Sequence, residues 1–311
     1  MIDRQYAPGM VVTEPGIYAN VPIDVYHGQD WLDGPSISSS GLRKIASESP
    51  AHFFCEWSGN PEREPQSASR ALILGQAAHH LLLGEDHFST RFIMQPEELD
   101  GEPWQGNRKA CRAWLGAQSV AGRIVIKADE IKTIRGMAKS LGAHPLIQHG
   151  LLNGRVERSM VWRCKDTGLW KKARPDVLPN DSGMFVDLKT TAAVFDDDVR
   201  KSIFEFGYHQ QGALICEGWA TLTGQKDTVF SLVFVEKSAP FCCRVITLTD
   251  EDLARGERQN FAAMDVFAQC LDASQWPGPG KYDGEYMHIP QWAADRIDRR
   301  LEQYTKEKEA A

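Results

Sequence analysis

The sequence predicts a mixed α/β (α+β) fold, with a helical N-terminal half feeding a mixed central sheet flanked by helices. Two observations carry that expectation. Apolar residues recur at helical spacing through much of the first half of the chain, and strand signals dominate from Val156 to Lys189, returning after a further helical stretch. In order, residues 1–15 carry little pattern and are expected to be loosely ordered. Ser38, Ser39 and Ser40 offer N-cap oxygens to a helix running toward Ser49, and Pro50 sets the next segment. Residues 60–65 read as a loop. From Ser69 to about Leu83, Ala71, Leu72, Leu74, Ala78, Leu81 and Leu82 follow helical spacing, and Gly75 suggests close packing. A polar loop at 97–106 precedes helical stretches at 107–119 and 128–141, the second ended by Gly142 and Pro145. After the 156–189 strands, a helix around 197–221, strands at 229–236 and 241–247, and a helix at 250–271 complete the core. Proline and glycine mark 276–290 as loop, and the charged tail beyond it has helical propensity. No repeat or clear linker is visible. The expected organisation is a loose terminus (1–15), one domain (16–290) and a charged helical tail (291–311).

Chemistry concentrates in one stretch. Met184-Phe185-Val186-Asp187-Leu188-Lys189 reads as a strand after a turn at 179–183, so Asp187 and Lys189 point the same way. A carboxylate and an ammonium on a largely buried strand are costly unless something pairs with them. The run 170–178 is short enough to be the hairpin partner, which could bring Asp176 beside Asp187. Two converging carboxylates plus a lysine suit a hard divalent cation, with a cationic group left for a phosphate or a nucleophilic water. The pattern is that of a phosphodiesterase site. Each residue also has a plainer reading: Asp187 as a surface strand carboxylate, Asp176 as a turn residue after Pro175, Lys189 as the ion-pair partner of Asp187.

Composition narrows the setting. The 311 residues, 42% hydrophobic and 25% charged, are those of a globular protein able to bury a sizeable core. No apolar run reaches the length of a membrane span and the first residues lack a signal-peptide core, so no membrane contact and a cytoplasmic location are expected. The seven cysteines include no C-x-x-C pair, which argues against a zinc site, a disulfide framework or an iron–sulfur cluster. Net charge is −7, but phosphates are met by local basic surface rather than by the whole chain. Lys171, Lys172 and Arg174, immediately before Asp176, are the expected phosphate contacts; Arg108, Lys109 and Arg112 read as a solvated face.

Asp176…Asp187-Leu188-Lys189 has the form D-(x)n-D-x-K, and the chain resembles the PD-(D/E)XK nuclease superfamily, within it the RecB-like branch and the exonuclease VIII (RecE-type) nuclease domain of phage and prophage recombination systems. D-x-K alone is a weak signal. Further segments follow in the family's order: Ile37-Ser38-Ser39-Ser40-Gly41-Leu42 and Ser49-Pro50, Gly75-Gln76-Ala77-Ala78-His79, the 167–176 run ending Arg174-Pro175-Asp176, and Tyr208-His209-Gln210-Gln211-Gly212-Ala213. The likeness covers most of residues 16–280. It implies a restriction-endonuclease-like core and Mg²⁺, with Mn²⁺ as a substitute, held by His79, Asp176, Asp187 and the Leu188 carbonyl. Lys189 would stabilise charge on the phosphate or orient water, and Gln211 would position that lysine or touch the DNA backbone. The G-x-x-x-H spacing picks His79 over the adjacent His80 as the metal-binding histidine. Glu157 resembles an acidic residue that some relatives carry, and is equally readable as an exposed strand glutamate. Two departures stand out: Gly84 occupies a position that is often glutamate, and Ile215 one that is often aromatic. Tyr208, one turn before Gln211 on the same helix face, could take the aromatic's place near DNA. The implied activity is a double-strand-specific exonuclease, 5′-to-3′, acting on DNA ends as a ring-shaped homo-oligomer with a single-strand annealing recombinase as partner. An endonuclease on the same fold, or a non-catalytic DNA-binding or assembly protein, are the alternatives.

Overall fold

The computed structural model describes residues 3–64, 69–84, 88–156, 158–179, 183–280 and 284–309. Met1–Pro277 forms one compact unit and Gly278–Ala311 another. A hairpin that changes sheets organises the larger unit. One arm runs through Arg155–Val156 and Ser159–Arg163, and the other returns through Trp170–Ala173 and Val177–Leu178. Ser159–Arg163 and Trp170–Ala173 pair inside a five-stranded sheet ordered Arg4–Gln5, Gly16–Ala19, Ser159–Arg163, Trp170–Ala173, Ser36–Ser38. Arg155–Val156 and Val177–Leu178 edge a second sheet, whose remaining order is Met184–Thr191, Val229–Glu236, Cys243–Thr247. Pro175 stands where the returning arm leaves one sheet for the other. It has no N–H to give to a ladder, so pairing stops there and resumes beyond it.

The second sheet is mixed. Met184–Thr191 runs parallel to Val229–Glu236, which demands a crossover; the helices Asp196–Glu205 and Tyr208–Thr223 supply it. Cys243–Thr247 and Val177–Leu178 pair antiparallel to their neighbours. Alternation along Met184–Thr191 divides its apolar side chains between two cores. Phe185 joins Leu214, Phe230 and Phe267 on the side of the helices Tyr208–Thr223 and Asp250–Ala273. Val186 and Leu188 join Ala77, Ala78 and Met137 on the side of Arg70–Leu82 and Ala128–Ala143. Gly212 and Gly218 let Tyr208–Thr223 lie against both sheets, since a Cβ at either would stand 2.6 Å from the ring of Phe230 or Trp162. The strand that carries Asp187 and Lys189 is thus covered on both faces. The mixed α/β architecture expected from the sequence is the one found.

The expectation of a loosely ordered N-terminus is corrected. Arg4–Gln5 pairs with Gly16–Ala19, Tyr6 and Val12 are buried, and Asp3 accepts Arg155 and Arg158. Tyr6 and Val12 join Tyr18, Tyr26, Trp31 and Trp170 in a third core. These anchors are single residues in an irregular segment, so no periodicity announces them. The compact unit also ends at Pro277 rather than at residue 290, and the helix Gln291–Glu309 buries none of its residues. Among the described residues, no helix is long and apolar enough to cross a membrane.

Candidate active site

Antiparallel pairing of Val177 with Val186 sets Asp176 opposite Asp187, as the hairpin reading required. The two carboxylates then take different partners. Asp176 Oδ2 accepts the Leu188 N–H at 2.6 Å and stands 3.3 Å from His79 Nε2. The same histidine nitrogen lies 2.7 Å from the Leu188 carbonyl oxygen. His79 comes from Arg70–Leu82, a helix opened by Ser69, whose hydroxyl accepts the Leu72 N–H. Asp187, only 1% exposed, turns toward Tyr208–Thr223. Its Oδ1 accepts from Gln211 Nε2 at 2.6 Å, and its Oδ2 pairs with the Lys189 ammonium. That ammonium also sits 4.7 Å from the centre of the Tyr208 ring. Tyr208 and Gln211 lie three residues apart, on one helix face, and so reach Lys189 and Asp187 together.

The electrostatics follow from burying this much charge. Burial, and then the charge of Asp187, push Asp176 up to about 6. Burial works against a charged His79, but Asp176 and Asp187 outweigh it and raise the imidazole above its ordinary value. Lys189 is likewise opposed by burial, yet Asp187 and Asp176 hold it above the usual lysine value. The two carboxylates thus favour its ammonium form.

These donors fit a hard divalent cation. His79 Nε2 has the Leu188 carbonyl and Asp176 Oδ2 within 3.3 Å, and neighbouring ligands of an octahedral ion with bonds of about 2.1 Å stand about 3 Å apart. Oxygen donors with one imidazole suit Mg²⁺ or Mn²⁺. A carboxyl raised to about 6 by burial and a like charge is also one that a cation would relieve. Among the described residues, no three His, Cys, Asp or Glu side chains form a metal-binding group. The third donor here is a backbone carbonyl. Of the four expected ligands, His79, Asp176 and Leu188 come together, while Asp187 is turned to Gln211 and Lys189.

A cleft of about 700 Å³ lies over this cluster, lined by His79, Asp176 and Gln211. Its cations come from separate parts of the chain: Arg43, Arg91, Arg174 and Lys237. His27 is also on the lining, and its shift comes first from burial and then from Lys172, Arg174, Arg63 and Arg91, which together bring it down to about 4. Ser38, Ser39 and Ser40 line the cleft as well, and the expected cap is absent: Ser38 makes no side-chain cap to its helix, its hydroxyl lying 3.0 Å from that of Ser40. Arg43, Arg91 and Lys237 escaped the sequence reading. Only Arg43 left a signal there, four residues after Ser39 and hence on the same helix face.

The expected DNA contacts need correction. Trp170–Ala173 has a strand on either side and packing on both faces, so Lys171 and Lys172 are 5% and 2% exposed and face no solvent. Lys171 Nζ pairs with Glu217 at 2.8 Å, and Lys172 Nζ donates to the Gly28 carbonyl at 2.9 Å. Arg174, just past the strand, does line the cleft, with its guanidinium bonded to Ser159 Oγ and the Val21 carbonyl and 4.5 Å from the Tyr26 ring centre. Tyr208 is half-buried and faces the lysine, not the cleft. His80 packs edge-on against Phe92 and also lines the cleft, its Nε2 3.4 Å from Arg91 Nη1. Glu157 lies outside the described residues.

One solved structure shares the fold. A protein from Eubacterium rectale that carries a provisional exonuclease designation superimposes with a TM-score of 0.59 at 16% identity, over 88% of this chain and 96% of that one. A phage-related exonuclease from Haemophilus somnus matches at 0.32 and 12% identity, over 78% of this chain and 97% of that one. An alkaline exonuclease from Laribacter hongkongensis matches at 0.23 and 14%, over 55% and 87%. The last two are too distant to carry structural argument. No curated protein matches. Residues 38–285, which contain the whole cluster around His79, Asp176 and Asp187, match the PDDEXK-like domain of unknown function (DUF3799), and the chain belongs to that family.

Proposed function

We propose that the protein is a Mg²⁺-dependent DNA phosphodiesterase acting as a double-strand-specific exonuclease. One observation carries the reading: His79, Asp176 and the Leu188 carbonyl converge beside the Asp187–Lys189–Gln211 cluster, beneath a cationic cleft. His79, Asp176 and the Leu188 carbonyl would hold the cation, with Asp187 joining them only by turning from Gln211 and Lys189, and the bound cation would acidify water and take up phosphate charge. The chain's own groups supply the rest. Arg43, Arg91, Arg174 and Lys237 draw the phosphodiester into the cleft. As water attacks phosphorus and the P–O bond to the leaving oxygen breaks, negative charge grows on the phosphoryl oxygens, and the Lys189 ammonium opposes it. Gln211 fixes Asp187, and the Tyr208 ring steadies the ammonium from another side.

Support for end-dependent action comes from the exonuclease VIII-like order of the motifs and the designation of the Eubacterium rectale protein. By the same resemblance the reading extends to 5′-to-3′ polarity, a ring-shaped oligomer and a single-strand annealing recombinase as partner in phage-type recombination. The test is end-labelled linear duplex beside covalently closed circles, in Mg²⁺ and then in EDTA. Linear DNA should be degraded, circles spared, and chelation should stop the reaction. Equal loss of circles makes the protein an endonuclease. Binding without cleavage in any divalent ion makes it a DNA-binding or assembly protein.

A further inference from the structure

Phe206 lines the catalytic cleft, yet its side chain is 56% exposed. Its position is fixed from several directions. The Arg43 guanidinium donates to the Phe206 carbonyl. Gly207, the next residue, has a left-handed backbone with φ +58°, and a Cβ there would stand 2.7 Å from Arg43 Cδ. The Phe206 ring sits 5.7 Å from that of Tyr208, tilted by 32°, and Tyr208 in turn meets the Lys189 ammonium at 4.7 Å. A continuous path of two rings thus leads from the exposed rim to the catalytic lysine. Phe206 thus stands exposed on the lining of the cleft while its backbone is held by Arg43.

We propose that Phe206 is a base-stacking platform, which takes the open face of the terminal nucleobase at a duplex end, next to the scissile phosphate. The inference rests on the nuclease reading and adds to it a group that holds the base rather than the phosphate. Nucleobases present flat, apolar π-faces, and an exposed aromatic beside a cationic groove is how single strands are held without regard to sequence. Arg43, tied to the same turn, has N–H groups beyond the one given to Phe206, so phosphate and base contacts come from adjoining points. Phe204, two residues earlier and 77% exposed, lines a different groove with Arg200, His209 and Arg258 and is the natural control.

The experiment measures affinity for a linear duplex oligonucleotide in Ca²⁺, and again with a single abasic nucleotide placed in turn at each position near the end. Phe206→Ala should weaken binding to the intact duplex by on the order of tenfold. At the terminal position the abasic nucleotide should cost wild type a similar factor and cost Phe206→Ala nothing, because the two changes delete the same contact. Phe206→Trp should restore the wild-type pattern, and Phe204→Ala should keep it. Independent, multiplicative losses at every position, or full affinity in Phe206→Ala, overturn the proposal while leaving the nuclease reading intact. A wild-type protein that neither binds nor cleaves the duplex overturns that reading, and this one with it.

Discussion

Lys189 and Asp187 touch each other, yet their removal should have different consequences. Asp187 would join His79, Asp176 and the Leu188 carbonyl by turning from Gln211 and Lys189, so Asp187→Ala should abolish turnover and weaken metal binding. Lys189 ligates nothing and meets charge that appears only as phosphorus is attacked. Lys189→Ala should lower the rate on the order of a hundredfold or more while Mg²⁺ still binds, tightened by the loss of a nearby positive charge. Calorimetry for the metal beside a turnover assay separates the two, and near-wild-type turnover in Lys189→Ala would remove the D-x-K motif from catalysis. These residues were legible in the sequence because strand alternation and hairpin register are local rules: they put Asp187 and Lys189 on one face and Asp176 opposite. What Asp187 does with its carboxylate was not legible. Its turn toward Gln211 depends on where a helix twenty residues downstream packs, and no spacing rule encodes that.

The same limit acts on the strand Trp170–Ala173. Three cations before Asp176 read as a phosphate-binding run, but exposure depends on the strands and layers packed around them, and only Arg174, beyond the ladder, reaches the cleft. Burying Lys172 has a measurable consequence. Burial, and then Arg174, bring its ammonium down to about 7, against about 10.4 for a free lysine. The folded chain therefore sheds this proton first, and between about pH 7 and 10 the unfolded chain binds more protons. The contribution of Lys172 to stability should rise with pH across that window and be least favourable below it. Urea melts at pH 7, 8 and 9 check this. Wild type should gain on Lys172→Met steadily with pH, and a constant difference would mean the lysine titrates normally. The N-terminal segment teaches the complementary point, since Tyr6 and Val12 are buried without belonging to any periodic element.

On the scale of the whole molecule, the boundary at Pro277 predicts that the last segment adds little to stability. The helix Gln291–Glu309 buries nothing, so a chain ending at residue 277 should melt within about 2 °C of the full chain by scanning calorimetry. Charge gives the other prediction. The protein carries a net −7, so under the proposed function its affinity for DNA is expected to come from the local cations of the cleft. Four cations line that cleft, Arg43, Arg91, Arg174 and Lys237. Each phosphate neutralised by a cation releases bound counterions and adds about −0.9 to the slope of log affinity against log salt for duplex DNA. The slope for a linear duplex, measured in Ca²⁺ at fixed concentration between about 50 and 200 mM monovalent salt, should be no steeper than about −4. Arg43→Gln and Lys237→Gln should each flatten it by about one, whereas Lys109→Gln, in the solvated cluster outside the cleft, should leave it unchanged. A slope much steeper than −4, or one that Lys109→Gln flattens, would place the main DNA-binding surface elsewhere on the molecule and leave the cleft to the scissile phosphate alone.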